Sequence, residues 1–373
     1  MRVIDRYLVR QFLQVFTVCF VSLVGLYVVI DAFGHLDELL GEAQRQKANL
    51  LAVVSKFYAY QSLGFFNRIS GVLGLISAMF TVTWLQRHNE LTALLAAGIP
   101  KPRVMAPILV GAMGVSLLAT ANRELIIPRV RHELGRDSYD PAGQKGRGVQ
   151  PQRDRQTGIL IDGERLFPEA QRLERATFFL PQGPRVKAKE AQYQPRRSNR
   201  PGGYLLTAVS HPPDLVSGPS IVREGQPLVL TPVDTDWLAP DTCFVVSGVD
   251  PDMLVVGTAW WQNEATLALI RGLNRGSVDF GADVRVAIHT RILQPLLDAT
   301  LLFLGLPLIL SRDNRNMFLA IGLCIVVVVL FMLVMIACQY LGSSGLIRPA
   351  LAPWLPLLVF VPVAVLVSKP LLR

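Results

Sequence analysis

The stretch LQRHNELTALLAAGIPKPRV, residues 85–104, lies between two long apolar runs and decides how the fold is interpreted. It carries a single acidic residue, Glu90. Apolar residues recur in it at helical spacing, at Leu91, Leu94, Leu95 and Ile99. Gly98 and the prolines that follow it are a helix-stop signal. The pattern therefore predicts a short helix over about 86–98 that interrupts an otherwise hydrophobic part of the chain.

The apolar runs are long enough to cross a bilayer. Of the 373 residues, 51% are hydrophobic and 17% are charged, and the mean hydropathy is +0.38, a combination typical of membrane proteins. Six candidate spans of about 16–25 residues follow, at 12–30, 70–85, 104–121, 293–310, 317–341 and 351–367. The first run is too long for a signal peptide and lacks a small-x-small cleavage site, so it is predicted to remain uncleaved.

Loop charge predicts the orientation of these spans. The segments on the N-terminal side of the membrane hold an excess of basic residues, at Arg2, Arg6, Arg10, Arg87, Lys101, Arg103, Arg312, Arg315, Lys369 and Arg373. The acids opposing them are Asp5, Glu90 and Asp313. Positively charged short loops stay in the cytoplasm. Both termini and residues 85–103 are therefore predicted to be cytoplasmic, in an inner (plasma) membrane protein.

Residues 129–280 lack long apolar runs and are predicted to form a separate domain. Short alternating segments such as TGILID, RATFFL and GYLLTAV are separated by Pro, Gly and Asp, which favours an antiparallel β sandwich or jelly roll. The predicted fold class is an α-helical membrane protein with six transmembrane helices (3+3) and an inserted extracytoplasmic β domain. The predicted domains are 1–128, 129–280 and 281–373.

The β domain is unevenly charged, with 16 Lys or Arg against 9 Asp or Glu in residues 129–200. Either these are solvated loops, or they form a basic front that meets an anionic ligand or partner. Nucleic acid is excluded as a partner, because this domain is predicted to lie outside the cytoplasm.

Catalytic motifs are absent from the sequence. It has no GxxxxGK[ST] phosphate loop, no HExxH and no GxSxG elbow. Its histidines are isolated, so no metal site is predicted. The chain is therefore predicted not to be an enzyme, and another subunit must supply energy for any uphill work. The short helix at 86–98 is then either an interfacial anchor in the lipid headgroups or a coupling helix that docks into a cytoplasmic motor.

Three charged residues within or at the ends of the spans suggest further sites. Asp298 lies about 20 Å from the cytoplasmic end of its span, where it should face protein or a cavity, with Gln339 or a Ser/Thr as a partner. Asp31 and Arg68 both lie about 27–28 Å from the inner surface. Either they form an ion pair that opens when Arg68 turns to a lipid phosphate, or each extends separately to the headgroups.

Several segments resemble the LptF/LptG permeases of lipopolysaccharide export, in the same order and at the same spacing. They are IDRYLVRQFL before helix one, RHNELTALLAAGIPKPRV, NRELIIPRV after helix three, HTRILQPLLDATLLFLGLPLIL at helix four, and APWLPLLVF at helix six. The resemblance runs along nearly the whole chain. The chain departs from the family at Asp31, where LptG-type chains often have a lysine.

The resemblance implies a function and a set of partners. LptF and LptG together form a cavity that takes lipopolysaccharide from the inner membrane, and their periplasmic jelly rolls pass it to LptC and an LptA-like bridge. A cytoplasmic LptB dimer hydrolyses ATP with Mg, so that no cofactor is bound by the permease itself. The implied ATPase contacts are Arg87, Glu90, Leu94 and Gly98. His289, Arg291 and Pro295 would set the outer end of helix four. With Asp31, Arg68 and Asp298, which are selected by their depth in the membrane, His289 and Arg291 make up the predicted lipid cavity or outer rim.

Other interpretations remain open at this point. The chain could be a mechanotransmission subunit that does not itself move lipid, a membrane scaffold, or a lipid-modifying enzyme. A wide apolar interior in the β domain would favour lipid handling, whereas a packed interior would favour mechanotransmission. The sequence does not distinguish an LptF from an LptG member, pairing with itself from pairing with a paralogue, or one glycolipid from another.

Overall fold

The computed structural model describes residues 3–47, 49–134, 146–168, 170–181, 183–197, 200–223, 225–255, 260–275, 281–310 and 317–372. Arg2 and the predicted cytoplasmic loop with Arg312, Asp313 and Arg315 lie outside these residues. The chain divides into two compact units: Met1–Leu36, Ala48–Leu134 and Gly281–Arg373 form the first, and Asp37–Lys47 and Gly135–Phe280 the second. Residues 37–47, which the sequence suggested belong with the first three spans, thus cluster with the β unit.

Apolar helices dominate the first unit. The helices of the two units are α1 (Val3–Gly34), α2 (Leu36–Gln46), α3 (Leu50–Arg87), α4 (Glu90–Ala96), α5 (Lys101–Ala121), α6 (Arg131–Leu134), α7 (Thr266–Arg275), α8 (Ala282–Leu310), α9 (Met317–Ser343) and α10 (Trp354–Leu372). Within the described residues, α1, α3, α5, α8 and α9 are long and apolar enough to cross a membrane, and α10 contains the shorter apolar helix Trp354–Ser368. The predicted class, a helical membrane protein with an inserted β domain, is confirmed.

The second membrane helix is much longer than its apolar run suggested. The sequence predicts a span at 70–85, whereas α3 begins at Leu50. Polar residues such as Lys56 and Arg68 interrupt the hydrophobic run before residue 70. The helix nevertheless continues through them, because apolar side chains on more than one of its sides, among them Phe57 and Phe66, are buried.

Prolines and left-handed residues set the helix boundaries around α4 and α5. Asn89, with φ of 58°, separates α3 from α4. Pro100 precedes α5, and Pro102 lies in its first turn, where proline is well tolerated. At the other end of α5, Pro128 cannot donate a helical hydrogen bond. The chain widens there into a π-helix at Asn122–Ile126 and ends in a 3₁₀ turn at Ile127–Arg129.

The core of the first unit lies where α1, α3, α5 and α8 meet. Large side chains with almost no exposure fill it, including Leu8, Phe12, Leu75, Met105, Ile108 and Leu301. On the outward faces of the helices apolar side chains are exposed, among them Val18, Leu26, Val326 and Leu358. This arrangement is expected of a bundle whose surrounding solvent is lipid.

The strands described in the second unit form one antiparallel sheet. Its strands are β1 (Arg147–Gly148), β2 (Gln152–Arg153), β3 (Leu160–Asp162), β4 (Arg165–Phe167), β5 (Arg172–Phe179), β6 (Arg185–Gln194), β7 (Gly203–His211), β8 (Ile221–Arg223), β9 (Gln226–Leu230) and β10 (Thr242–Val246). Their order is β1-β4-β5-β6-β7-β10-β9-β8, and β3 also pairs with β2 and β5. The ladders between these strands are antiparallel, as the alternating segments predict.

Part-way along β5 and β6, the alternation of inward- and outward-facing side chains shifts by one residue. On β5, buried Leu173 is followed by buried Ala176, and on β6, buried Ala188 is followed by buried Ala191. The members of each pair are three positions apart, whereas regular alternation would place them two apart. Arg175, between the two β5 residues, has φ of 48°. Such irregularities bend a sheet, so the two halves of these strands present different sets of residues to the core.

Candidate functional site

The segment between α3 and α5, residues 87–103, is called the coupling segment below. Its helix α4 buries an apolar stripe on the bundle of the first unit: Leu91 is 6% exposed, and Leu94, Leu95 and Ile99 pack partly buried against the same core. The apolar face is therefore covered by protein. The interfacial-anchor interpretation requires that face to lie in lipid headgroups, so the structure does not support it.

Gly98 ends α4 through a specific hydrogen-bond pattern. The N–H of Ile99 donates to the carbonyl of Leu94 over 3.1 Å, and the N–H of Gly98 donates to the carbonyl of Leu95 over 3.0 Å. These two bonds form a Schellman motif, which requires a left-handed residue after the helix. Gly98 has φ of 82°, so its role is conformational: it turns the chain from α4 towards α5.

The four predicted ATPase-contact residues lie in different environments. Arg87 and Gly98 are exposed, whereas Leu94 is half-buried against the bundle. Glu90 is half-buried, and its Oε2 accepts a hydrogen bond from the Tyr7 hydroxyl of α1 over 2.7 Å. The outward face of α4 carries small side chains, at Thr92, Ala93, Ala96 and Ala97. The surface open to a partner is therefore flat, with Arg87 at one end and Gly98 at the other.

A second contact with α1 lies at the end of the coupling segment. Arg103, in the first turn of α5, forms an ion pair with Asp5 of α1 at 2.8 Å. The side chain of Asp5 is 13% exposed and that of Arg103 is 40% exposed. The first two turns of α1 thus contact the coupling segment at two points, through Asp5 and Tyr7.

A buried carboxylate connects two of the spans. Asp298 of α8 is 5% exposed, accepts a hydrogen bond from the Ser116 hydroxyl of α5 at 2.5 Å, and accepts another from Gln294 Nε2 at 2.9 Å. Asp298 faces protein, as predicted, because an acidic side chain exposed to lipid is energetically unfavourable. A serine, a threonine or Gln339 was expected as its partner from the sequence, and the structure places Ser116 there.

A third span approaches the same carboxylate. A Cβ added to Gly71 of α3 would overlap Asp298 Oδ1 and lie 3.0 Å from its Cγ. Only a residue without a side chain allows α3 this close to α8. Asp298, Ser116, Gln294 and Gly71 are called the carboxylate node below, and they join α3, α5 and α8.

Two buried arginines lie at the predicted outer ends of α5 and α8. Arg291 is 8% exposed and Arg123 is 7% exposed. Arg123 donates from Nη2 to the Arg291 carbonyl over 3.1 Å and from Nε to Glu124 Oε1 over 3.4 Å. His289 and Pro295, predicted beside Arg291, are half-buried on α8. Arg123 was not predicted from the sequence. The signal that could have identified it is the charged pair Arg123 and Glu124 just before the helix-ending Pro128.

The predicted ion pair between Asp31 and Arg68 is not formed. Asp31 accepts a hydrogen bond from the Tyr58 hydroxyl at 2.7 Å and lies 3.5 Å from His35 Nδ1, whereas Arg68 is exposed. The error lies in the depth argument, which counted residues from the edges of apolar runs. Tyr58, not Arg68, stands opposite Asp31 on α3, and ten residues of helix separate the two by about 15 Å.

Metal and thiol chemistry receive no support from the described residues. Within them, no group of three or more His, Cys, Asp or Glu side chains could hold a metal ion. Cys243 of β10 is fully buried, and burial raises the pKa of its thiol to about 11. Such a thiol is inert at neutral pH, because the thiolate is the reactive form.

The comparison with known families agrees with the architecture. The family model described as "Lipopolysaccharide export system permease LptF/LptG" matches residues 6–207 and 237–370. The coupling segment and the carboxylate node lie within the matched ranges. No curated protein matches the chain. Because the family model covers most of the sequence, the chain belongs to the LptF/LptG family of lipopolysaccharide export permeases, the membrane subunits of a transporter.

Proposed function

We propose that this chain is one permease subunit of an ABC exporter. It would extract lipopolysaccharide or a related glycolipid from the inner membrane and pass it to a periplasmic bridge of β jelly rolls. A second LptF/LptG-type subunit, either a paralogue or another copy, would complete the membrane cavity. An LptB-like ATPase dimer, which binds ATP and Mg, would supply the energy, and LptC- and LptA-like proteins would receive the lipid.

The coupling segment is the observation that carries this proposal. A short helix, α4, is held between two spans, packs its apolar stripe on the bundle, and leaves a flat face of small side chains exposed between Arg87 and Gly98. A cytoplasmic motor can dock on such a face and move both spans at once. The loop charges support a cytoplasmic position for this segment and for both termini, and hence a periplasmic position for the β domain.

An exposed arginine on α3 supports contact with an anionic lipid. Exposed Arg68 is suited to bind a phosphate, because a guanidinium donates two parallel hydrogen bonds to such a group. Arg123 and Arg291, by contrast, are buried with protein partners. We assign Arg68 to lipid contact and the two buried arginines to holding the ends of α5 and α8.

A specific observation favours a second candidate, the mechanotransmission subunit. Two large aromatic side chains on one face of the sheet, Phe178 and Tyr204, are fully buried, and their rings are 5.6 Å apart. A packed interior leaves no room for an acyl chain unless the sheet opens. Photo-crosslinkers at 178 and 204, activated during ATP hydrolysis, distinguish the two candidates: label on glycolipid favours transport, and label confined to protein favours mechanotransmission.

Charge reversal in the coupling segment tests the proposal. Loss of a desolvated charge partner at an interface typically weakens binding by about 2–5 kcal/mol, and Glu90→Lys adds repulsion. We expect Glu90→Lys to abolish co-purification of the ATPase and ATP-dependent release of lipopolysaccharide from proteoliposomes, with normal membrane insertion. Asp214→Lys, an exposed charge reversal in the β unit, is the matched control. Normal ATPase association and transport in Glu90→Lys would contradict the proposal.

A further inference from the structure

We propose that Tyr7 is a positioning residue for the coupling segment: its hydroxyl fixes the Glu90 side chain to α1 while the other carboxylate oxygen is presented to the ATPase. This inference rests on the proposed function, because it specifies how the coupling segment is held. It assigns a role to the start of α1, far in sequence from the segment that docks.

The geometry of the contact allows Glu90 to serve two partners at once. The Tyr7 hydroxyl donates to Oε2 at 2.7 Å, and Oε1 has no hydrogen-bond partner among the residues that the structure describes. An ionised carboxylate has about four acceptor positions on its two oxygens. A basic side chain of the ATPase can therefore bind Oε1 without displacing Tyr7, and the existing bond restricts the rotamers from which Glu90 meets it.

The first turns of α1 form a fixed support for this bond. Leu8 and Phe12, one turn apart on α1, have 0% exposure. This part of α1 is therefore packed into the bundle. The ion pair between Asp5 and Arg103 at 2.8 Å holds the same end of α1 to the start of α5. Tyr7 lies between these anchors, and its hydroxyl position is correspondingly well defined.

The helix that carries Glu90 is short, so a contact with α1 contributes more to holding it in place than it would for a longer helix. α4 has seven residues, and it lies between two left-handed positions, Asn89 with φ of 58° and Gly98 with φ of 82°. Its apolar stripe fixes it on the bundle, and among the residues that the structure describes the hydrogen bond from Tyr7 is the one that holds the Glu90 carboxylate. A force on Glu90 therefore reaches α1 directly, without passing along α3 or α5.

The test compares Tyr7→Phe, which removes the hydroxyl and keeps the ring, with Tyr340→Phe. Tyr340 is 70% exposed on α9, and its hydroxyl has no partner in the described part of the chain. In the assembled permease–ATPase complex, Tyr7→Phe should weaken ATPase binding about two- to fivefold, the range expected for a partly exposed polar pair. It should also raise the mobility of a spin label at exposed Thr92, at an unchanged melting temperature. Tyr340→Phe should change none of these quantities.

A double-mutant cycle separates positioning from a general structural role. Tyr7→Phe should have no further effect on ATPase affinity in a Glu90→Ala background, because the hydroxyl acts only through that carboxylate. The inference is overturned if Tyr7→Phe leaves both the affinity and the label mobility at wild-type values, or if its effect persists in Glu90→Ala. A lower melting temperature with unchanged affinity would also overturn it, since that result indicates packing alone.

Failure of the proposed function gives a different result. If the wild-type chain does not bind the ATPase, the proposed function is wrong and the docking role of Tyr7 falls with it. The spin label in the permease alone then still decides whether Tyr7 restrains α4. If the wild-type chain binds and only Tyr7→Phe has no effect, the proposed function stands and the inference about Tyr7 does not.

Discussion

Substitution of Gly71 by alanine tests whether the carboxylate node holds three spans together. The new Cβ would overlap Oδ1 of Asp298. That carboxylate cannot easily turn away, because Ser116 and Gln294 hold its two oxygens at 2.5 and 2.9 Å. Either α3 and α8 move apart, or the two hydrogen bonds break. Gly74, one turn further along α3, is the matched control: its added Cβ would make an ordinary contact of 3.9 Å with the Ala112 carbonyl.

The magnitude follows from three contributions. Replacing a helical glycine by alanine raises helix propensity by about 1 kcal/mol at either position, so this gain cancels in the comparison. Overpacking a filled core typically destabilises by about 1–3 kcal/mol, and the hydrogen bond between α5 and α8, from Ser116 to Asp298, contributes about 0.6 kcal/mol, as is typical between membrane helices. We therefore expect Gly71→Ala to have a free energy of unfolding about 2–4 kcal/mol lower than Gly74→Ala.

Unfolding in mixed micelles with increasing SDS, followed by steric trapping or fluorescence, measures this difference. The same substitution should be neutral or stabilising in an Asp298→Ala background, because the shortened side chain leaves room for the methyl group of residue 71. Equal unfolding free energies for Gly71→Ala and Gly74→Ala, or a failure of Asp298→Ala to rescue, would refute the steric argument.

Four further predictions concern other parts of the chain. Gly98→Ala places a side chain at φ of 82°, strain of about 1–2 kcal/mol, and should weaken ATPase binding; Gly98→Asn, measured in the same titration, should recover part of the loss. Arg68→Ala should lower glycolipid affinity roughly tenfold or more, since a hydrogen bond to a charged group contributes about 1.5–3 kcal/mol. Asp31→Ala should leave that affinity unchanged, because Asp31 is bound to Tyr58; tighter binding of glycolipid vesicles would mean that an Asp31–Arg68 pair does form. Cys243 should resist iodoacetamide at pH 8, since its thiol stays protonated below a pKa of about 11, and should react once the protein is denatured; mass spectrometry shows the adduct, and labelling of the native chain would contradict its burial.

The sequence predicted the elements whose signals are local. Uninterrupted apolar runs located the spans, alternation located the β domain, and Gly98 located the end of α4. The start of α3 was missed because Lys56 and Arg68 break the apolar run, although the helix is continuous through both. Hydropathy averages over a stretch of sequence, whereas the burial of individual apolar side chains, such as Phe57, also stabilises the helix.

Side-chain partnerships were harder to predict, because they depend on how the helices rotate and slide against one another. Glu90 was identified from its motif, but its partner Tyr7 lies 83 residues away. Asp298 was expected to face protein, yet neither Gly71 nor Gln294 could be selected from the sequence. The Asp31–Arg68 pair failed for the same reason: equal estimated depths do not fix the rotation or the axial position of two helices.

The length of α3 has a mechanical consequence. Its 38 residues span about 57 Å, nearly twice the roughly 30 Å hydrocarbon thickness, and a tilt within the usual limit of about 40° cannot absorb the excess. The helix is therefore a rigid lever that projects from the membrane. If its C-terminal end at Arg87 turns with the coupling segment by about 5°, its far end at Leu50 sweeps about 5 Å. A small rotation at Arg87 is thereby converted into a displacement as wide as an acyl chain on the opposite side of the bilayer.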